Sequence, residues 1–170
     1  MSETEFSLKT LSKLEPYFDI YQEVSGKHFS GHRLRIDAVV VPKDKNNWKN
    51  PNVALGIEFK DDMRLKNDMH NYTGWLAQCV DYANTNWDNF GYLYVFACPG
   101  IFESMYDTVK AGNVEWLFSR VMSQLGVGEL RYSQYYGLTF FVQHSHRIWS
   151  EENGLERGKD WTLTRKFGSR

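Results

Sequence analysis

Two strand-like stretches of this chain carry charge where an apolar side chain is expected. In Arg35-Ile36-Asp37-Ala38-Val39-Val40-Val41 the aspartate interrupts a run suited to a buried strand, and aspartate is depleted in strands. A carboxylate taken out of water without a partner is costly, so Asp37 must pair with a cation or bind a metal. Gly56-Ile57-Glu58-Phe59-Lys60 repeats the pattern. Alternate residues of a strand share a face, so Glu58 and Lys60 project together while Ile57 and Phe59 turn the other way. With the two strands adjacent, Asp37 and Glu58 converge on one site. Converging carboxylates repel each other and favour a divalent cation, and hard oxygen ligands select magnesium or manganese over zinc. Such an ion polarises a phosphate oxygen and lowers the pKa of a bound water. Lys60 then orients that water or offsets charge in the transition state. Taken singly, each residue has a plainer reading as half of a salt bridge, with Arg35 or Lys60 as the cation. The conjunction of two carboxylates and a lysine on two buried-type strands favours phosphodiester hydrolysis.

The elements that must position these residues are readable from periodicity and punctuation. Phe6, Leu8, Leu11 and Leu14 predict a helix that ends near Glu15, because the residue before Pro16 avoids the α region. Phe18 to Val24 reads as a strand followed by a turn at Ser25-Gly26. His32 to Val41 and Val53 to Lys60 are the two charge-bearing strands, joined by a polar connection over 43–52 whose Trp48 packs at its base. After a charged stretch from Asp61 to Asp68, a helix is predicted from about Tyr72 to Ala83, then a strand from Tyr92 to Cys98 stopped by Pro99-Gly100. Trp116, Leu117, Val121 and Leu125 predict a helix over Val114 to Leu125, with Gly126 near its C-terminal end. Residues 130–143 read as a strand or hairpin, and a polar tail from Ser150 ends with Arg165, Lys166 and Arg170. The order through residue 98 is αβββαβ, an α/β class. The expectation is a single domain over 1–170, with a core at about 3–98 and a C-terminal helix/strand elaboration over 99–170.

Composition excludes several classes. A formal net charge of −1 gives no global basic field for passive, non-specific DNA binding, although bound metal would supply positive charge locally. Cys79 and Cys98, the only two cysteines, are expected to be buried free thiols, too few for a four-cysteine cluster. The N-terminal Met-Ser-Glu-Thr-Glu-Phe lacks the basic-then-apolar pattern of a signal peptide, and no apolar stretch approaches ~20 residues. The expectation is a soluble cytoplasmic protein with no membrane partner. The high aromatic content, 16%, is assigned to the core first.

Ile36-Asp37, twenty intervening residues and Glu58-Phe59-Lys60, set in the αβββαβ order, resemble the PD-(D/E)XK nuclease superfamily. Gln78-Cys79-Val80-Asp81-Tyr82, on the helix after the lysine strand, resembles the Gln-x-x-x-Tyr motif of its RecB-like branch. The resemblance implies a restriction-endonuclease-like fold, a mixed central sheet flanked by helices. It also implies Mg2+ as cofactor, with Mn2+ able to substitute, and DNA as partner. By the same resemblance Asp37, Glu58 and the Phe59 carbonyl hold the metal and Lys60 serves the nucleophilic water. Gln78 and Tyr82, one helical turn apart on a shared face, would contact substrate. Glu23 matches an acidic position of the first strand, with pairing to Arg35 as the plainer alternative; both are carried as substrate-side residues. The branch leans towards DNA end-processing, recombination or phage replication. Ile36 stands where the superfamily has proline, and the acidic residue of the first helix is not assignable between Glu5 and Glu15. An inactive nuclease-fold protein that binds DNA or a protein partner is the competing expectation. Exonuclease against endonuclease action, and whether the chain forms a homo-oligomer, are left open.

Other motifs are weaker. His28-x-x-x-His32 and His144-x-His146 each offer two zinc ligands without a third. No Gly-rich phosphate loop is followed by Lys-Ser/Thr, and no Gly-x-Ser-x-Gly is present. Tyr132, Tyr135, Tyr136 and the basic C-terminal residues could grip a strand by stacking and charge; core and solvated tail are the plainer readings.

Overall fold

The computed structural model describes residues 2–60, 69–100, 119–143 and 145–156. The charged stretch from Asp61 to Asp68, residues 114–118 of the predicted 114–125 helix, His144 and the basic C-terminal residues lie outside them.

Helix α1 (Glu3–Leu14) starts with a capping box. The Glu5 amide donates to Ser2 Oγ at 3.2 Å while the Ser2 amide donates to Glu5 Oε2 at 2.9 Å, satisfying end groups that the helix itself leaves open. The helix stops before Pro16 as the sequence requires, and buries Leu11 and Leu14 against a sheet.

Strands β1 (Phe18–His28) and β2 (Arg33–Pro42) form a long antiparallel hairpin in register from Phe18 opposite Pro42 to Lys27 opposite Arg33. The turn therefore lies at Phe29-Ser30-Gly31, not at Ser25-Gly26, and Gly31 takes the left-handed φ of +94° that closes such a short loop. Gly26 sits inside β1 for a different reason. A Cβ there would lie 2.6 Å from the Trp87 ring and 2.9 Å from the Asn86 carbonyl oxygen, because β4 (Thr85–Trp87) pairs directly alongside.

Strand β3 (Leu55–Phe59) follows, then helix α2 (Met69–Ala83), then β4, β5 (Gly91–Tyr92) and β6 (Tyr94–Cys98). Residues 119–124 are helical (α3), and β7 (Val127–Ser133), β8 (Gly137–Val142), β9 (His146–Ser150) and β10 (Gly154–Leu155) follow among the described residues. The ten strands form one mixed sheet in the order β10-β9-β8-β7-β6-β3-β2-β1-β4-β5. Among the described strand pairs only β3–β6 and β6–β7 are parallel. The expected αβββαβ order is present, with the short strands β4 and β5 inserted before β6. The hairpin expected over 130–143 is β7–β8, while β9 and β10 were not foreseen; they extend the same sheet into the segment read as the beginning of a polar tail.

Each face of the sheet buries one apolar cluster. Leu14, Phe18, Val40, Ile57, Phe59 and Phe96 pack on the α1 side, together with Trp48 from the polar connection. Ile36, Val39, Trp75, Cys79, Val95 and Met122 pack on the α2 side. The sheet curls around α1, since Phe18 of β1 meets Trp149 of β9 and Phe140 of β8 with ring centroids 4.8 and 5.8 Å apart. Among the described residues no helix is long and apolar enough to cross a membrane.

Candidate active site

The antiparallel ladder between β2 and β3 ends at the pair Ala38–Ile57. One residue further along β2, Asp37 continues the connection with its side chain: the Phe59 amide donates to Asp37 Oδ2 at 2.8 Å. The alternation of β2 slips here. Ala38 and Val40 face α1, yet Ile36 lies in the cluster under α2. Gly56 makes that possible, for a Cβ at 56 would lie 2.8 Å from Ile36 Cδ1. On the far side of Asp37 the β1 backbone is also irregular, with Glu23 at φ 53° between the pairs Gln22–Ala38 and Val24–Ile36.

Glu58 is 5% exposed on the α2 face of β3. Its Oε1 accepts from Gln78 Nε2 at 2.8 Å, and the same amide nitrogen lies 2.8 Å from the Tyr82 hydroxyl oxygen, which accepts from it. The Tyr82 hydroxyl in turn donates to the Arg35 carbonyl oxygen at 2.7 Å. A chain of hydrogen bonds thus runs from Glu58 through α2 back to β2, just beyond Asp37. The end of α2 is itself fixed: the carbonyls of Val80, Asp81 and Tyr82 accept from Asn84 Nδ2, Thr85 Oγ1 and Trp87 Nε1. These side chains reinforce the last helical turn, where backbone donors run short; the Asp81 carbonyl also accepts from the Asn84 amide at 3.0 Å.

Burial and crowding leave the two carboxyls reluctant to ionise together. Burial pushes Glu58 up to about 9, and the charge of Asp37 adds to the effect. Burial also raises Asp37, against the Phe59 amide and the Lys60 ammonium, which both favour its charged form. Glu58 Oε2 is buried without a sound hydrogen bond, although Asp37 is near enough to raise its affinity for a proton. Lys60 is partly buried, with its amide donating to the Cys98 carbonyl oxygen at 2.9 Å. Its ammonium favours ionisation of both carboxyls. Cys79 is fully buried beside the pair, its thiol held well up, chiefly by burial and then by Glu58. Tyr82 is pushed up to about 12 by burial and by Glu58.

The structure thus brings together Asp37, Glu58, Lys60, Gln78 and Tyr82. Tyr82 is only 7% exposed and serves as a strut between α2 and β2, whereas Gln78 is partly exposed. Glu23 and Arg35 form their own exposed ion pair at 3.1 Å, as the plainer reading expected. Tyr132 lies outside the site: its ring holds Lys13 Nζ at 4.9 Å near the C-terminal end of α1. Glu3, at the other end, is the residue of α1 whose charge bears on Asp37, and ten residues of helix, about 15 Å, separate the two positions. Tyr136 stacks on Arg147, and Tyr135 is exposed.

Two acidic residues were missed by the sequence reading. Glu3 was passed over for Glu5, which is consumed by the capping box; the Ser2-x-x-Glu5 spacing already signalled that. Glu129 is level with Ala97, which is level with Glu58, so it occupies the same row of the sheet. It is buried, accepts from Ser119 Oγ at 2.8 Å and lies 3.7 Å from Arg131 Nη1.

Among the described residues no group of three or more His, Cys, Asp or Glu side chains is placed to hold a metal ion. A cation at this site would take Asp37 and Glu58, with backbone carbonyl and water oxygens completing its shell. The donor set fits a hard ion: its ligands are oxygens, and one buried carboxylate oxygen lacks a hydrogen bond. No family model, curated protein or solved structure matches the chain.

Proposed function

We propose that this chain is a magnesium-dependent nuclease that hydrolyses DNA phosphodiester bonds. The observation that carries the reading is the meeting of Asp37 and Glu58 from two neighbouring strands, buried enough to hold Glu58 neutral near pH 7, with the Lys60 ammonium beside them. Mg2+ or Mn2+ supplies Lewis-acid activation of the phosphate and of a water molecule when bound. Asp37 and Glu58 hold it, and Phe59 is suited to add its carbonyl, because the residue's N–H is already turned towards Asp37. Lys60 orients the attacking water and offsets charge on the phosphoryl oxygens. Gln78 fixes Glu58, with both hydrogens of its amide committed to Glu58 and Tyr82; Tyr82 positions Gln78 and β2.

The αβββαβ order within the mixed sheet agrees with a restriction-endonuclease-like core, and the Gln78/Tyr82 pair agrees with a RecB-like branch engaged in end-processing, recombination or phage replication. The test is incubation with linear and circular DNA, single- and double-stranded, with Mg2+ and with EDTA. Metal-dependent cleavage is expected; no cleavage of any form under either condition counts against the reading.

A second reading, an inactive nuclease-fold protein that binds DNA or a protein, is favoured by one observation: only two acidic side chains converge among the described residues. Nucleic-acid binding by a wild-type protein that neither cleaves nor takes up Mn2+ would support it.

A further inference from the structure

Beyond Arg33, which starts β2 four residues before Asp37, the β1–β2 hairpin closes in a loop where Phe29 is 78% exposed. Its ring is not loosely held. It leans on the His28 ring, centroid to centroid 4.2 Å. His28 is itself buried and clamped: Nδ1 is 2.7 Å from Ser30 Oγ and accepts from the Ser30 amide at 3.3 Å, while Nε2 faces Asp81 Oδ1 at 3.7 Å. Asp81 lies on α2, three residues after Gln78, so the loop packs beside the helix that fixes Glu58, with His28 Nε2 near the Asp81 carboxylate but not hydrogen-bonded to it. The Phe29 ring therefore presents an apolar face to water at the tip of the hairpin.

The segment itself is basic, and the carboxylates of Glu23, Asp81 and Asp88 face it from outside. From Val24 to Ile36 the chain holds Lys27, Arg33 and Arg35, with His28 and His32, and no Asp or Glu. Arg33 and Arg35 are exposed and, among the described residues, pair with exposed carboxylates, Asp88 and Glu23, which a phosphate can displace at little cost. At ~3.4 Å per strand residue, Arg33 lies about 14 Å from Asp37, the span of about four stacked nucleotides.

We infer that Phe29 is a base-stacking post for an unpaired DNA strand whose backbone runs along the Lys27/Arg33/Arg35 side of the hairpin to the Asp37–Glu58 site. This rests on the nuclease reading and adds a substrate class to it. An exposed ring stacks only on bases freed from their partners, so the site takes single-stranded or frayed DNA and engages it at a fixed distance from the scissile phosphate.

The experiment uses single-stranded oligonucleotides carrying 2-aminopurine at successive positions, mixed in EDTA with the full chain as wild type, Phe29→Ala and Phe29→Trp. The wild type should change 2-aminopurine emission at one position. Phe29→Ala should lose that change and bind about tenfold more weakly, and Phe29→Trp should keep both. Unchanged affinity and emission in Phe29→Ala would overturn the inference. So would intact DNA binding combined with loss of self-association, since the ring would then serve a protein contact. Cleavage by the wild type in Mg2+ is scored separately. Its absence beside a Phe29-dependent emission change removes the nuclease reading and leaves the stacking post standing.

Discussion

The Phe59 amide donates to Asp37 Oδ2 at 2.8 Å, one position past the last backbone pair of β2 and β3. A side-chain carboxylate here does the work of a strand carbonyl, so the residue assigned to metal binding also ties the two strands together. Substitutions can separate these roles. Asp37→Asn keeps an oxygen for the Phe59 amide and removes the charge, whereas Asp37→Ala leaves a partly buried N–H without its acceptor. Urea denaturation in EDTA should find Asp37→Ala less stable than Asp37→Asn by about 1–3 kcal/mol, and both should lose cleavage. Equal stability of the two variants would show that the amide finds another partner.

Without metal, stability should depend on pH through Glu58. Its folded-state value of about 9 lies above the ordinary 4.5, so the native protein binds more protons than the unfolded chain between those limits. The stabilising contribution is complete below about pH 4.5 and is lost as pH rises towards 9; Asp37, also raised, acts in the same direction. Thermal melts in EDTA should therefore show Tm falling from pH 5 to pH 9, and Glu58→Gln should flatten the slope. A slope that survives in Glu58→Gln would assign the titration to another group.

Tyr82 is read as a strut that does not reach the substrate. Removing its hydroxyl in Tyr82→Phe deletes the donation to the Arg35 carbonyl and the contact with Gln78. The expected cost is about 1–2 kcal/mol in urea denaturation, with cleavage reduced mainly through kcat. A variant of wild-type stability with a raised KM would instead place Tyr82 against DNA.

Gly26→Ala should destabilise the fold by about 1–3 kcal/mol, because its Cβ would meet the Trp87 ring and the Asn86 carbonyl oxygen at 2.6 and 2.9 Å. A chemical denaturation curve checks this. A neutral effect would mean that β4 shifts away from β1 at little cost.

The same glycine shows what the sequence could and could not tell. Ser25-Gly26 has the composition of a turn, yet Gly26 is needed for close approach by β4, a three-residue strand too short to leave a periodic signal. Asp37, Glu58, Lys60, Gln78 and Tyr82 were legible because charge within apolar strands and i, i+4 spacing are local patterns. Their connection was not: Tyr82 reaches Arg35 across 47 positions, and the neutral state of Glu58 follows from burial that only the assembled sheet creates. The slip of β2 at Asp37 was equally hidden, since it depends on Gly56 of the next strand making room for Ile36.

The central claim is that Asp37 and Glu58 form a cation site, and calorimetric titration with Mn2+ at pH 7 tests it most directly. Run in two buffers of different ionisation enthalpy, the wild type should bind Mn2+ and release close to one proton per ion, because the cation displaces the proton that Glu58 holds. Glu58→Gln should bind far more weakly and release none. A wild type that takes up no Mn2+, or that binds it as Glu58→Gln does, would contradict the assignment.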